Sequence, residues 1–306
     1  MEQNKQPLLS ICIPTYNRAS YLEGAILNII TDNAFGDEVE IIISDNASTD
    51  NTEEIAKKYT QKHYNIKYYK NEENIRDKNF MLALQRGNGL YRRLFNDTLR
   101  FKEGALQKML DIIRISSQNR PLFFYQNISF LKPNTYKITK GVTAFFLNTS
   151  YWVTWIGNFG NWNNIIEEIP DPDECAPLLL AQVDWSFKII KANPEAQIYY
   201  DDYFNSIVPA KKGGYNFFNI FIINYLSIIK KSIRNPFLLE QEKYRLYRYY
   251  LIYAIYNFTR LGNSYTFDNS YMWRTLFKAY WYQPYFYIGL IFLYIKKNNQ
   301  ERIKHQ

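Results

Sequence analysis

Two stretches decide how this chain folds: LLSICIPTYNR at positions 8–18 and VEIIISDNASTD at positions 39–50. Each is a short apolar run that breaks off into turn-forming and polar residues. Leu8 to Pro14 and Val39 to Ser44 therefore read as buried strands, the first ending at the turn-like PTYNR. A helical segment follows each. The first covers Ala19 to about Thr31; the second, Thr52 to Gln61, has Ser48 or Asp50 placed to cap it. NIKYYKN, at positions 65–71, supplies a third strand. Strand, helix, strand, helix, strand with short connections predicts a parallel, doubly wound α/β sheet.

Such sheets bind ligands at the carboxyl ends of their strands. Polar residues crowd those ends here: Thr15, Tyr16, Asn17 and Arg18 after the first strand, Asp45 and Asn46 after the second. The glycine fingerprint of dinucleotide enzymes is missing from the first turn, which argues against an NAD or FAD fold. Further on, KNFMLALQR (78–86) has helical periodicity, and GNGLYRRLFND (87–97) supplies a fourth strand ending at Asn96-Asp97. A helix from Gly104 to Ser116 and a strand in PLFFYQNISFL (121–131) follow. The middle segment, Thr139 to Tyr200, holds the aromatic run SYWVTWIGNFGNWNN and the helical APLLLAQVDWSFKIIKA. Beyond Asp202 the pattern is almost wholly helical, and no internal repeat is present.

Composition sets the outer bounds. A hydrophobic content of 47% over 306 residues excludes general disorder and allows a sizeable core. The 28 Tyr and 21 Phe carry polar edges on flat rings, the chemistry of sugar stacking, of membrane interfaces, or of an aromatic core. Two cysteines, Cys12 and Cys175, make no disulfide framework, so a reducing cytoplasm is expected. MEQNKQPLLSICIPTYN lacks a basic region leading into a long apolar stretch, so no secretory signal is expected. The net charge of +8 is biased toward the C-terminal third, in IIKKSIR and YIKKNNQERIKHQ. That suits an anionic membrane surface; no motif for nucleic acid accompanies it, and none is expected as partner. Neither His63 nor His305 suggests a metal site.

LSICIPTYNRASYLEGAILNI (9–29) paired with VEIIISDNASTDNTEEIAKKY (39–59) resembles the N-terminal half of family 2 glycosyltransferases of GT-A fold. NEENIRDKNFMLAL (71–84) and GALQKML (104–110) are similar to the abequosyltransferase-like branch of bacterial surface-polysaccharide enzymes. The resemblance covers roughly residues 8 to 115. It implies a Rossmann-like, mostly parallel doubly wound sheet in a transferase domain at 1–205, with a nucleotide-binding half (1–115) and an acceptor half (116–205). A helical, aromatic and basic region at 206–306 would follow. The implied activity is an inverting transfer of a sugar from a nucleotide-diphosphate sugar, UDP foremost, to a growing surface glycan such as capsule or O-antigen, carried on a lipid. The rival expectation is a noncatalytic nucleotide- or glycan-binding protein that kept the fold and lost its metal aspartates.

Carried over to this chain, the donor nucleotide falls to Pro14, Thr15, Tyr16, Asn17, Arg18, Asp45, Asn46, Arg76, Lys78, Asn96 and Asp97. A carboxylate at a strand end, Asp45, can accept the base N–H while backbone around Pro14 and Thr15 meets the rest, and Tyr16 can stack on the ring. The bland reading of Asp45 is a turn or capping aspartate. Arg76 and Lys78 would offset charge on the leaving diphosphate, or form a solvated basic loop. Relatives usually carry a glycine near Arg76; this chain lacks it. Relatives also hold two or three aspartates after the fourth strand to bind Mg2+ or Mn2+. Aligned on EGAL (103–106), this chain has Asn96, Asp97, Thr98 and Leu99 there, leaving Asp97 as the one metal candidate. Three readings stay open: Asp97 binds a metal with diphosphate and water; no metal is used and Arg92, Arg93, Arg76 or Arg100 supplies the charge; or Asp97 binds only a hydroxyl.

The family's general base is an acid at the start of a helix in the second half. Asp184, in LLLAQVDWSFKII, matches it, with apolar neighbours that could raise its pKa; Asp173 and Glu174 are in reserve. The alternative is a polar residue on an amphipathic helix. Trp152, Trp155 and Trp162 could floor an acceptor site or pack in a core. Phe217 to Lys231 and Pro284 to Lys297 are each apolar for about a dozen residues, short of the roughly 20 a bilayer helix needs, and each ends in lysines. They read as interfacial helices on the inner face of the plasma membrane, or as a helical subdomain or oligomer contact.

Overall fold

The computed structural model describes residues 6–126, 135–209, 213–259 and 266–304, with side chains to 296 in the last stretch. Asn127 to Leu131 of the expected strand, and His305, lie outside the described residues. The chain forms two compact units, Met1–Val208 and Pro209–Gln306.

In the first unit, strands β1 (Leu9–Thr15), β2 (Val39–Asp45), β3 (Ile66–Lys70) and β4 (Tyr91–Leu94) alternate with helices α1 (Ala19–Ile30), α2 (Thr52–Thr60) and α3 (Lys78–Gln85). The four strands lie parallel in the order β3-β2-β1-β4. Leu9 to Thr15 pair one for one with Val39 to Asp45, so the two polar strand ends finish side by side. Every residue of β2 is buried, as expected of a strand covered by helices on both faces. On α1 the buried residues are Leu22, Ala25, Ile26 and Ile29, the spacing of one helical face.

One polar group inside this sheet sets its amino-terminal end. Glu40 is buried in β2, where its carboxylate accepts from Ser10 Oγ (2.6 Å) and the Gly89 N–H (3.1 Å) and pairs with Lys67 (3.1 Å). A buried carboxylate survives only when so satisfied. It therefore links β2 to β1, to β3 and to the turn entering β4. A Cβ on Gly89 would come within 2.5 Å of the Ser10 backbone nitrogen, so only glycine lets that turn approach.

The chain then runs through β5 (Leu99–Phe101), α4 (Ala105–Ser116), β6 (Leu122–Tyr125), β7 (Thr135–Lys140), α5 (Val142–Thr149), β8 (Gly160–Trp162), α6 (Asn163–Glu167), α7 (Ala181–Ala192), β9 (Glu195–Tyr200) and β10 (Phe204–Ser206). β8 joins the edge of the main sheet antiparallel to β4, with Tyr91 opposite Trp162. A separate sheet orders as β6-β9-β7, and β10 pairs antiparallel with β5. Phe95, Phe101, Phe204 and Tyr125 fill the space between these elements as edge-on and stacked rings.

The second unit is mainly helical: β11 (Gly213–Asn216), α8 (Tyr225–Lys230), α9 (Pro236–Leu246), α10 (Ile252–Thr259), β12 (Thr266–Asp268), α11 (Met272–Tyr280) and α12 (Pro284–Lys304). The short parallel pair β11–β12 interrupts a region expected to be almost wholly helical. Asn235 caps α9, its Oδ1 accepting from the Phe237 N–H at 2.9 Å. Phe286 is buried against Tyr247 and Tyr280, and a Cβ on Gly289 would collide with the Tyr247 hydroxyl, so α12 lies close on that pair. Its other face, with Tyr287, Ile288, Ile291, Phe292, Tyr294 and Ile295, is exposed. Among the described residues no helix is long and apolar enough to cross a membrane.

Candidate functional site

The carboxyl ends of β1, β2 and β4 converge, and hydrogen bonds between their loops hold the convergence together. Asn17 donates its N–H to Ser48 Oγ (2.8 Å) and accepts from the Thr49 N–H (2.8 Å), tying the loop after β1 to the loop after β2. Asp50, the capping residue expected from the sequence, serves two helices. One oxygen accepts from Thr52 at the start of α2, the other from the Ala19 N–H at the start of α1 (3.1 Å). Burial acts to raise its pKa but is outweighed by the Thr52 hydroxyl and these N–H groups, which hold it below the ordinary carboxylate value.

Asn17, Ala47 and Arg76 all have φ between +52° and +64°, the left-handed region in which glycine is unstrained. Arg76 thus occupies a glycine-type conformation in the segment where the family resemblance led to a glycine. Strained residues persist where their surroundings over-determine them, and these three lie in the loops after β1, after β2 and before α3.

Asp45 has no exposed surface. Its Oδ1 accepts from the Ser48 N–H (2.9 Å) and its Oδ2 from the Tyr68 hydroxyl (2.7 Å). Burial, followed by this carboxylate, pushes the Tyr68 phenol above its ordinary value. Tyr16 stands at the rim with 44% of its surface exposed. Asn46 is spent on structure: its amide donates to Asn74 Oδ1 and the Arg76 carbonyl, and its carbonyl accepts from Asn71 and the Ile75 N–H. Both donors and both lone pairs are used, so Asn46 shapes the 71–76 loop and has nothing left for a ligand.

At the end of β4, Asp97 is buried between strands. Its Oδ2 accepts from Thr15 Oγ1 (3.2 Å) and its Oδ1 pairs with Arg18 Nη1 (3.2 Å). Burial raises its pKa, while Arg18, Thr15 and Arg100 act to lower it. Arg100 Nη1 donates to the Asp97 carbonyl (2.8 Å) and Nη2 to the Tyr21 carbonyl (3.2 Å), clamping the turn. Asn96 is half-buried beside it. A divalent cation fits this set badly. One carboxylate, with both oxygens engaged, faces two guanidiniums, and among the described residues no three His, Cys, Asp or Glu side chains gather. Two unit charges 4 Å apart interact by about 4 kcal/mol at an effective dielectric of 20, so the neighbouring guanidiniums offset the attraction that this single carboxylate offers a cation.

Two other arginines are corrected. Arg93 is buried in the core, its guanidinium bonded to the Gly157 carbonyl and stacked 4.6 Å from the Phe204 ring centre. Arg92, on the opposite side of β4, pairs with Glu167 at 2.9 Å. Neither faces the convergence, because successive strand residues point to opposite sides and both sides here are packed. Trp162 is corrected likewise. It is fully buried against Tyr91 and Phe123, its indole N–H donating to the Pro121 carbonyl at 2.9 Å, and it cannot floor an acceptor. Trp152 and Trp155 stay partly exposed.

Asp184, in the first turn of α7, is nearly buried. Its Oδ2 forms an ion pair with Lys188 Nζ at 2.7 Å. Lys188 also grips Glu174 (2.8 Å) and the carbonyls of Pro170 and Asp171, fixing the acidic loop before α7. From that loop Asp173 reaches Lys78 at 3.1 Å, so the reserve acids and one donor-side lysine are already paired. Asp77 went unnoticed in the sequence. Half-buried between Arg76 and Lys78, its carboxyl is raised by desolvation to about 7 against the opposing pull of Arg76. No local pattern signals that burial.

The profile described as Glycosyl transferase family 2 matches residues 10–181, more than half of the chain. Over 115 residues the chain is 39% identical to abequosyltransferase RfbV of Salmonella typhimurium, covering 34% of each protein. It is 30% identical over 115 residues to the putative teichuronic acid biosynthesis glycosyltransferase TuaG of Bacillus subtilis, covering 36% of this chain and 43% of that one. The chain thus spans well under half the length of these curated relatives. Among solved structures, S. aureus TarS 1-349 superposes with a TM-score of 0.58 at 16% identity, over 83% of this chain and 75% of that one. The mannosyltransferase PcManGT of Pyrobaculum calidifontis, solved with GDP-Man and Mn2+, gives 0.54 at 16% identity over 95% and 87%. At such identities the likeness speaks for the fold alone.

Proposed function

The chain belongs to glycosyl transferase family 2 and has its GT-A α/β fold, and from that premise we propose that it transfers a sugar from a nucleoside diphosphate to a hydroxyl of a surface glycan. The observation that carries the reading is the convergence of Thr15, Arg18, Asp45 and Asp97 at the carboxyl ends of adjacent parallel strands. The base N–H of the donor would be accepted by Asp45 once the Tyr68 hydroxyl gives way, with Tyr16 covering the ring. Pro14, Thr15 and Asn17 supply the rim around it; Arg76 and Lys78 border it, Lys78 after exchanging Asp173 for phosphate. TarS has been solved with UDP, which makes UDP the first nucleotide to try.

The acceptor oxygen attacks the anomeric carbon from the face opposite the diphosphate. The new C–O bond forms as the bond to the phosphate oxygen breaks, and its electron pair leaves on the nucleoside diphosphate. The hydroxyl proton passes to Asp184, whose position is fixed by its ion pair with Lys188 at 2.7 Å. This displacement inverts the anomeric centre. Trp152 and Trp155 offer faces to the acceptor. The exposed aromatic and aliphatic face of α12, next to Lys296, suits the headgroup region of an anionic membrane and hence a lipid-linked acceptor at its cytoplasmic face.

Titration calorimetry with UDP, GDP, CDP and dTDP tests donor binding. Nucleotide release from a UDP-sugar panel with lipid-linked acceptor tests transfer. Binding with no release across the panel would favour the noncatalytic alternative, and absence of any binding would end the reading.

A further inference from the structure

Resting on the donor reading above, the geometry points to Arg18 as the fixed positive charge that meets the leaving diphosphate, in the role a divalent cation would otherwise fill. A cation at this place serves to neutralise charge as the electron pair arrives on the phosphate oxygen. The turn after β4 is poorly built to hold one. Asp97 is its only acid, Asn96 and Thr98 beside it are neutral, and each Asp97 oxygen already accepts one contact, from Thr15 or Arg18.

Three features suit Arg18 to that role. Asp97 anchors one of its nitrogens at 3.2 Å, while 41% of the side chain remains exposed. A guanidinium has five N–H donors in a planar fork, so one edge can stay on Asp97 while the others turn outward to phosphate oxygens. It also lines an open cleft of about 410 Å³ with Asn17, Ser20, Tyr21, Asp50 and Asn51, at the head of the 12-residue helix α1, whose Ala19 N–H is already capped by Asp50. Finally, Arg100 fixes the floor. Its contacts to the carbonyls of Asp97, Leu99 and Tyr21 hold the Asp97 turn against the start of α1. Asp97 in this arrangement is the anchor of an arginine and not a metal ligand. Lysine would be a poorer occupant of position 18, since a point charge cannot bridge the carboxylate and a phosphate in one plane.

The test uses the full chain freed of metal by a chelating resin. Titration calorimetry with the four nucleoside diphosphates is run in EDTA and again in excess Mn2+. The expected result is nucleotide binding of equal strength in both buffers. Arg18→Gln should weaken it about tenfold to a hundredfold in both, on the scale of removing one charge-assisted partner, and Arg18→Lys by less. The double variant Arg18→Gln with Thr98→Asp, which swaps the guanidinium for a second carboxylate, should bind better in Mn2+ than in EDTA. Thermal melting of each variant separates lost folding from lost binding. Binding by the native chain only when Mn2+ is present would overturn the inference and leave the donor reading standing. Binding in neither buffer would overturn both.

Discussion

The two units of this chain differ in what they bury and what they leave at the surface. In the first, carboxylates and amides are drawn inside and spent on one another: Glu40, Asp45, Asn46 and Asp97 are all buried and hydrogen-bonded, with Arg93 in the aromatic core. In the second, many rings reach the surface, from Trp273, Phe277 and Trp281 at four-residue spacing to the outer face of α12, while Tyr247, Tyr280 and Phe286 pack inside. Burying a polar group costs several kcal/mol unless it is paired, and each of these groups is paired. Large apolar side chains left in water suggest a surface that something else covers.

That contrast is most vulnerable at Asp184. Asp184→Asn should lower kcat by two to four orders of magnitude, about the worth of general-base catalysis. It should also lower the melting temperature, because it breaks the buried ion pair to Lys188, so turnover is measured well below that temperature. Unchanged turnover would shift the base to Asp173 or Glu174. Next come the tryptophans. Trp162→Ala should cost about 3–5 kcal/mol in denaturant unfolding, the usual cost of emptying a large aromatic site. Trp152→Ala should leave stability nearly unchanged and raise the acceptor KM. If the two variants unfold alike, the division between core and rim is wrong.

Asp77 adds a dependence on pH. Its folded pKa, about 7, lies above the ordinary carboxylate value, so between about pH 4 and 7 the folded state holds a proton the unfolded state has lost. Stability is therefore greatest at the acid end of that window and falls as pH rises to 7, by at most about 1.4 kcal/mol per unit, then levels off. Asp77→Asn should flatten that part of the profile measured by thermal melting. Smallest in energy is the outer face of α12. Ile291→Asp together with Phe292→Asp should weaken cosedimentation with anionic vesicles about tenfold, and added salt should weaken the native chain's binding too. Native protein that stays in the supernatant at low salt would leave that face to another partner.

Much of the first unit was legible because its signals are local. The apolar runs at 8–14 and 39–44, the polar residues closing them and Asp50 as a cap all depend on neighbours in sequence, and each appears where periodicity put it. The Asp97 turn was also located from its spacing to EGAL. The arginines were not sorted. RR at 92–93 and the arginines at 18, 76 and 100 look equally available in a string of letters, and only packing on both sides of β4 removes two of them. Trp162 was misplaced for the same reason: its neighbours in sequence are polar, and the rings that bury it come from β4 and β6.

By itself, then, the amino-acid order determined the parallel sheet, its strand ends and the family of residues gathered there, since alternation, capping and turn chemistry act over a few residues. Tertiary structure alone decided that Asn46 is spent, that Asp45 lies behind Tyr68, and that Asp97 holds Arg18. Those outcomes depend on which distant groups arrive to donate or accept, and burial is a property of the assembled layers, which no single segment carries.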